Sequence, residues 1–435
     1  MGLIPVFMKN HLMKKIVLLL VVLISIHQLN AQEKIDAFRI KKEADKNYQS
    51  KHYASAAKNY IQFIELADFK GQKKSAAYNA ACCLALQEKV DSAFVMLEKA
   101  IDYGLADKSH VLSDSDLEIL HQDQRWAQLI DEFSETNTIN TAPELANIVT
   151  QDVYNFWEAY DLAQDGANNA ANIYDQYYFK KASPGMEDYM GLKVRSKDYF
   201  IKHIERHPKL YKTIRENTLK VSEYKKDIQK SFKKLKEIYP SAKFPDVYFV
   251  MGAFTSGGTV SSAGLLIGIN QMSDGEDVNT QELDFGDKLL MNQSENIPYI
   301  VSHELIHFQQ DGLKNDTITL GYAISEGMAD FIGELISGET ANRKIFDWAK
   351  GKEKQIWTDF KKDMYYDRYS NWIANYGKAS KDSYPDLGYW IGYEICKSYY
   401  ENAEDKKQAI QDMLTIQDYQ KFLADSKWEQ KLQQL

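Results

Sequence analysis

The run His303-Glu304-x-x-His307 constrains this chain more than any other feature, because it requires a helix with one face turned toward a metal. Residues four apart on an α-helix lie about 40° from each other, so both imidazoles point to one place and Glu304 stands beside them. The flanking residues predict that the rest of this helix is buried, since they are Ile300, Val301, Leu305, Ile306 and Phe308. These flanks favour a zinc site with a base beside it over a surface helix that carries two histidines by chance.

The third zinc ligand has to come from elsewhere, because a hydrolytic zinc centre has three protein ligands and one open position. No histidine follows His307, and position 313, where a metzincin would carry histidine, holds Leu313. The third ligand is therefore expected to be a carboxylate. Glu326 lies 19 residues after His307, enough for a loop and a second helix to bring it back. We therefore predict Glu326 as the third ligand.

Asp330 stands one helical turn beyond Glu326 and faces the same way. It is predicted to accept a hydrogen bond from the non-ligating nitrogen of a zinc-bound imidazole, which fixes the ring and raises its basicity. The alternative is that both are ordinary surface acids, in a chain with 62 Asp and Glu. Their apolar neighbours argue against this, because unpaired carboxylates are costly to bury among Met328, Ala329, Phe331 and Ile332.

The first 31 residues predict a signal peptide. Lys14 and Lys15 precede an apolar stretch, residues 16–26, and Ala31 provides a small residue before Gln32. A membrane anchor is the alternative, but this stretch is too short to cross about 30 Å of hydrocarbon. No cysteine stands directly after this stretch, which argues against a lipid anchor. We expect an exported protein, periplasmic or secreted, with no transmembrane anchor in the mature chain.

Charge and cysteine content exclude two further classes. Removing residues 1–31 takes away three lysines and no acid, so the formal charge moves from −9 to −12. Such an acidic chain argues against nucleic acid as a partner. The three cysteines, Cys82, Cys83 and Cys396, suggest neither a disulfide framework nor a thiolate zinc site.

Residues 36–135 are predicted to be nearly all helical, and two segments resemble each other 37 residues apart. The corresponding pairs are Ala44 and Ala81, Tyr53 and Val90, Ala56 and Ala93, Tyr60 and Leu97, and Phe63 and Ala100. This alternation of small and large residues is typical of tetratricopeptide (TPR) helical hairpins, with an unrelated helical bundle as the alternative. Such repeats generally bind peptides or proteins, which predicts a protein partner here unless they only pack on the next domain.

The polar stretch 135–143 predicts a domain boundary, followed by a second domain over residues 150–430. Two runs after Pro240, Val247–Met251 and Leu265–Ile269, predict paired strands with a glycine-containing connection between them. Residues 273–296 predict a surface loop, and residues 322–435 predict helices and connecting loops. The fold class is therefore mainly α with a small β-sheet (α+β). A peptide substrate is expected to add to the sheet edge, which the sequence places at Leu266, Ile267 and Gly268.

A family resemblance rests on these motifs. His-Glu-x-x-His followed by Glu-x-x-x-Asp resembles the gluzincin metallopeptidases. The region from about 152 to 427 resembles a bacterial zinc-dependent protease family to which the gliding-motility lipoproteins of type B are related. The similarity is carried by residues 297–309, 325–330 and 385–393. The resemblance implies Zn²⁺ held by His303, His307 and Glu326, with Glu304 as the catalytic base. It also implies that Asp330 contacts a zinc ligand rather than the zinc itself.

One departure from the thermolysin type is that no downstream histidine can stabilise the oxyanion. Gluzincin aminopeptidases use a tyrosine there, and Tyr389 or Tyr393 lies at a similar distance after Glu326. We favour Tyr389, although a core or surface role is equally consistent with the sequence. The exopeptidase signature Gly-x-Met-Glu-Asn is absent from residues 264–270.

The sequence thus predicts zinc-dependent hydrolysis of peptide bonds with Glu304 as general base. The alternative is a non-catalytic envelope protein that binds a partner through its helical repeats, with the zinc domain as a scaffold. Retention of Glu304 argues against the alternative, because a purely structural zinc site does not need it.

Overall fold

The computed structural model describes residues 37–133, 140–165, 169–380 and 383–434, so the predicted signal peptide, residues 1–31, lies outside the described residues. The N-terminal helices are α1 (Ala37–Gln49), α2 (Tyr53–Leu66), α3 (Lys70–Ala85), α4 (Val90–Asp102), α5 (Lys108–Ser113) and α6 (Gln124–Glu132). Those that follow are α7 (Gln151–Asp165), α8 (Ala170–Tyr177), α9 (Pro184–Lys193), α10 (Lys197–Arg206), α11 (Pro208–Thr213), α12 (Arg215–Leu219), α13 (Lys225–Ile238) and α14 (Phe285–Leu290).

The C-terminal helices are α15 (Ile297–Gln309), α16 (Thr319–Ser337), α17 (Arg343–Ala349), α18 (Glu353–Phe360), α19 (Leu387–Asn402), α20 (Lys406–Leu414), α21 (Tyr419–Ser426) and α22 (Trp428–Gln434). Four short strands, β1 (Ile148–Val149), β2 (Val247–Val250), β3 (Gly258–Ser261) and β4 (Gly264–Gly268), make one sheet. The described residues therefore confirm the predicted α+β class. Each described helix is too short or too polar to span a bilayer.

The N-terminal helices form the two predicted hairpins, α1 with α2 and α3 with α4. The second helices begin at Tyr53 and Val90, which keeps the 37-residue offset. The alanines paired in the sequence are buried, because helices approach closely there: Ala44, Ala56, Ala81 and Ala93. The turns also repeat, since Lys51 and Glu88 both adopt positive φ, 58° and 61°. The tetratricopeptide assignment and the domain limits 36–135 and 150–430 stay predictions.

The hairpins contact the rest of the chain at helix α9 and at the residues around it. A Cβ atom on Gly191 would lie 2.8 Å from the Cα of Gly71 at the start of α3, so the two backbones meet without side chains between them. Beside this contact, Lys74 pairs with Asp188 at 2.9 Å, with both side chains largely shielded from solvent. The amide of Gln72 donates to the carbonyl oxygen of Val194 at 2.9 Å.

The sheet has the order β1-β2-β4-β3, parallel except for the antiparallel pair β3 and β4. Strands β2 and β4 match the two predicted runs to within a residue, and they are buried along their whole length. This is why their sequences are continuously apolar rather than alternating.

The predicted edge of the sheet is wrong. Leu266, Ile267 and Gly268 belong to β4, which pairs with β2 on one side and β3 on the other. No backbone edge is therefore open at these residues. The outer strands of the sheet are the two-residue β1 and, beside β4, β3. The open edge at β3 is a Gly- and Ser-containing strand that the sequence places in the connection between the two predicted runs. Gly258 and Ser261 have little strand preference by themselves, and pairing to the buried β4 holds them extended.

Candidate metal centre

Helix α15 presents the His-Glu-x-x-His run from a buried position. Its apolar side is fully buried, at Ile297, Val301, Leu305 and Ile306. Pro298 lies in the first turn, where its missing N–H would have no helical partner in any case. His303 and His307 therefore project from the remaining face, as the four-residue spacing predicts.

Helix α16 crosses α15 at a short distance and brings Glu326 to the histidines. The approach is close at Gly333, where a Cβ atom would lie 3.3 Å from the backbone nitrogen of His303. Residues 310–318 make the connection between the two helices. The structure thus brings together the three residues predicted as ligands, although they are separated by up to 23 positions in the chain.

The three candidate ligand atoms form a compact triangle. The Nε2 atoms of His303 and His307 are 3.0 Å apart. Oε2 of Glu326 lies 3.1 Å from His307 Nε2 and 3.5 Å from His303 Nε2. Two ligands bound about 2.0–2.1 Å from a tetrahedral zinc ion are roughly 3.3 Å apart, so this nitrogen, nitrogen and oxygen set fits zinc without rearrangement.

Each imidazole is held through its other nitrogen. His303 Nδ1 lies 2.9 Å from Oδ1 of Asp330, and Asn342 donates its amide to both carboxylate oxygens of Asp330, at 3.0 and 2.9 Å. With Nδ1 as the donor to this buried carboxylate, Nε2 of His303 carries the lone pair that a metal requires.

His307 is held by a residue for which the sequence predicts no role. Its Nδ1 lies 2.8 Å from Oε1 of Gln310. Gln310 in turn donates to the carbonyl oxygen of Ser325 at 2.9 Å and accepts from the Ser325 hydroxyl at 2.9 Å. Gln310 therefore ties the end of α15 to the turn before Glu326. Its only signal in the sequence is its position three residues after His307.

The acids around the two histidines stabilise positive charge. Burial alone would lower the pKa of His303, but the carboxylates of Asp330 and Glu326 raise it well above its ordinary value. Burial alone would raise the pKa of Glu326, but His307 and His303 hold the pKa of that carboxyl below its ordinary value. Groups arranged in this way suit a divalent cation.

Glu304 lies beside the triangle without belonging to it. Its side chain is buried, and burial raises the pKa of the carboxyl above its ordinary value. Gly258 of β3 packs against it so closely that a Cβ atom there would lie 2.2 Å from Oε1 of Glu304. The open β3 edge of the sheet therefore lies next to Glu304, the candidate base.

Of the two tyrosines that the sequence proposes, Tyr389, on α19, is the one that the structure brings to this site. Its ring stacks on His303 with the centroids 5.9 Å apart and the planes 21° apart. Burial, together with the charge of Glu326, raises the pKa of Tyr389 well above its ordinary value, so the phenol remains a hydrogen-bond donor at neutral pH. Tyr393, one turn further, donates its hydroxyl to Glu334 at 2.8 Å and is engaged away from the histidines.

A cavity of about 690 Å³ opens above the triangle. Its walls include Glu304, Gly258 and Tyr389, together with Asp386, an acid to which the sequence assigns no role. Asp386 precedes α19 in a left-handed conformation with φ 59°, and burial raises the pKa of its carboxyl to about 6. Asp386 and Asn375 hold each other through backbone N–H to side-chain oxygen contacts of 2.7 and 3.4 Å.

The fold and the site define an α+β protein with a candidate three-ligand metal centre on two crossed helices. The model of the family described as gliding motility protein GldB matches residues 139–430, which is more than half of the chain. The chain therefore belongs to this family, and membership indicates a location in the cell envelope. No curated protein and no solved structure matches the chain.

Proposed function

We propose that this protein is a zinc-dependent peptidase of the cell envelope, exported to the periplasm or secreted. The observation that carries the proposal is the triangle of His303, His307 and Glu326 with Glu304 beside it. Among the described residues, none donates a hydrogen bond to the Glu304 carboxylate, although this side chain is only 5% exposed. A carboxylate that lines a cavity and whose pKa is raised by burial suits a chemical role.

A bound zinc ion would supply Lewis-acid chemistry, since it polarises a carbonyl and lowers the pKa of a coordinated water to about 7. Glu304 takes the proton from the attacking water and passes it to the leaving amine. A base with a raised pKa suits both steps, because its proton affinity lies closer to neutrality. Tyr389, which stays protonated, donates a hydrogen bond to the oxygen that becomes negative.

The β3 edge is the place where a peptide main chain would bind. The amide of Gly268 donates to the carbonyl oxygen of Gly257 at 3.0 Å, and this bond fixes the alternation along the pair. Val260 consequently directs its N–H and C=O away from β4. A substrate strand that pairs there passes Glu304, because Gly258, two residues earlier, packs on that side chain.

Zinc content and peptide hydrolysis test the proposal together. We expect one zinc per chain and hydrolysis of casein or a fluorogenic peptide. In Glu304→Gln, kcat should fall by at least about 10²-fold while zinc content is kept, because only the base is removed. Glu295→Gln is the matched control, since this glutamate is exposed just before α15 and should have no effect. Equal activity of wild type and Glu304→Gln would refute the catalytic assignment, and absence of zinc would refute the site.

A second candidate function is partner binding through the N-terminal hairpins without catalysis. It is favoured by apolar side chains left exposed on these helices, among them Ile61, Leu66 and Val95. Capture of a partner that survives Glu304→Gln and fails when residues 36–135 are removed would support it. The two functions are compatible, since the hairpins could recruit the protein that is cut.

A further inference from the structure

The acids and the lysines on the cavity wall differ in the contacts that they already make within the chain. Three acids line it, Glu304, Glu326 and Asp386, together with two lysines, Lys193 and Lys344. Under the proposed function, Glu326 is a ligand and Glu304 is the base. Asp386 accepts the backbone N–H of Asn375 and is only 4% exposed. Each acid therefore has a task or a partner within the chain.

The two lysines form no ion pair within the described residues, although Lys193 acts electrostatically on Glu304 and Asp274 acts on Lys344. Among the described residues, neither ammonium lies within 4 Å of a carboxylate. Lys344 donates to the carbonyl oxygen of Met291 at 2.5 Å, which uses one of its three donors. Ammonium groups that keep free donors on the wall of a cavity complement a carboxylate on a bound molecule.

Lys193 stands on the side of the base and the open strand. It is in the last turn of α9, and Tyr189 of the same helix donates its hydroxyl to the carbonyl oxygen of Ser256 at 2.6 Å. Ser256 precedes β3 and donates to the carbonyl oxygen of Gly258 at 2.6 Å. Lys193 is also close enough to act electrostatically on Glu304.

Lys344 stands in a different element. It lies in the first turn of α17, two residues after Asn342, which holds Asp330 behind His303. The loop that accepts its hydrogen bond, around Met291, also lines the cavity through Leu290 and Asn292. The two ammonium groups thus come from separate elements, Lys193 from the helix that holds the segment before β3 and Lys344 from the helix that begins after Asn342.

We propose that the cavity selects peptides that carry a carboxylate near the bond to be cut, and that Lys193 and Lys344 bind this carboxylate. The inference rests on the proposed peptidase function and names its substrate class. The carboxylate is either an Asp or Glu side chain or the free C-terminus of a short peptide, and both present the same chemistry to an ammonium group.

The test measures binding separately from hydrolysis. Fluorescent peptides that differ only by Glu or Gln, and by a free or amidated C-terminus, are titrated by anisotropy into zinc-loaded Glu304→Gln protein. We expect the carboxylate form of one of these pairs to bind about tenfold more tightly than its neutral partner, a typical effect of a hydrogen bond to a charged group. The pair that shows the preference identifies the source of the carboxylate.

Substitution of the lysines then shows whether they produce the preference for carboxylate-bearing peptides. Lys193→Met and Lys344→Met should each reduce the ratio of the affinities for the charged and the neutral peptide. The double variant should bring this ratio close to one. Lys193→Arg should retain part of it, because the charge remains. Lys350→Met is the matched control, since this lysine is exposed and lies outside the cavity lining. Zinc content of each variant reports whether the site has kept its fold.

The outcomes separate this inference from the proposed function. Equal affinities for charged and neutral peptides, or a preference unchanged in the double variant, would overturn the inference even if wild type hydrolyses peptides. A lysine-dependent preference in a protein that hydrolyses nothing would support the inference and refute the peptidase assignment.

Discussion

Asp330 is the residue on which the geometry of the first histidine depends. Both of its carboxylate oxygens face donors, since Oδ1 meets His303 Nδ1 and both oxygens accept from Asn342. An amide in place of this carboxylate would turn an NH₂ group toward one of these donors. Because the side chain is 2% exposed, water cannot easily compensate for the lost contact.

We therefore predict that Asp330→Asn weakens zinc binding by about 10- to 100-fold, the usual effect of losing a hydrogen bond behind a metal ligand. Competition with a chelator of known affinity measures the change. Asp347→Asn, an exposed acid nearby, is the control and should keep the wild-type zinc affinity. An unchanged dissociation constant for Asp330→Asn would show that Asp330 does not support His303.

At the scale of elements, the crossing of α16 and α19 sets Tyr389 relative to Glu326. The two helices touch through glycines. A Cβ atom on Gly392 would lie 1.7 Å from the carbonyl oxygen of Ala323, and one on Gly327 would lie 1.9 Å from the backbone nitrogen of Tyr393. Both contacts are with backbone atoms, which cannot move aside as a flexible side chain can. Only glycine at these positions permits this helix spacing.

Gly392→Ala should consequently force α16 and α19 apart. We predict a loss of about 3 kcal/mol or more in the free energy of unfolding, the upper range for overpacking, and weaker zinc binding because Glu326 moves with α16. Urea unfolding and chelator competition measure the two effects. Gly377→Ala is the matched control, because nothing lies within 4 Å of a Cβ atom there. A Gly392→Ala protein as stable as this control would contradict the close crossing.

The elements also show how far the sequence could predict this site. The helix that carries His303 and His307 follows from its spacing and its apolar flanks, and Glu326 follows from the need for a third ligand. The open edge could not be predicted in the same way, because β3 is extended only through its pairing with β4. The contact of Gln310 with His307 depends on how the turn after α15 meets Ser325, and this is a tertiary contact without a periodic pattern.

At the scale of the whole molecule, helix α9 connects the N-terminal hairpins to the cavity. Gly191 meets Gly71 of α3 backbone to backbone, while Tyr189 holds the segment before β3 and Lys193 lines the cavity. The buried side chains nevertheless form two clusters, one mainly from the hairpins and a larger one that includes Phe69 from the turn between α2 and α3. The close contact at α9, together with the ring contact of Phe69 with Phe179 and the hydrogen bond from the Lys197 N–H to Asp68, is therefore expected to couple the unfolding of the two cores.

Gly191→Val should weaken this coupling strongly, because its side chain would meet the Gly71 backbone at 2.8 Å. In scanning calorimetry we expect one transition for wild type and two for the variant. Zinc should raise the transition temperature of the larger core only. Binding adds RT ln(1 + [Zn]/Kd) to the free energy of unfolding of that core, which is about 4 kcal/mol at a thousandfold excess over Kd. Leu192→Val, at an adjacent side chain that is 57% exposed, introduces the same residue into the same helix and should keep a single transition. A single zinc-sensitive transition in Gly191→Val would contradict the prediction and show that the remaining contacts, such as Phe69 with Phe179, suffice to couple the two cores.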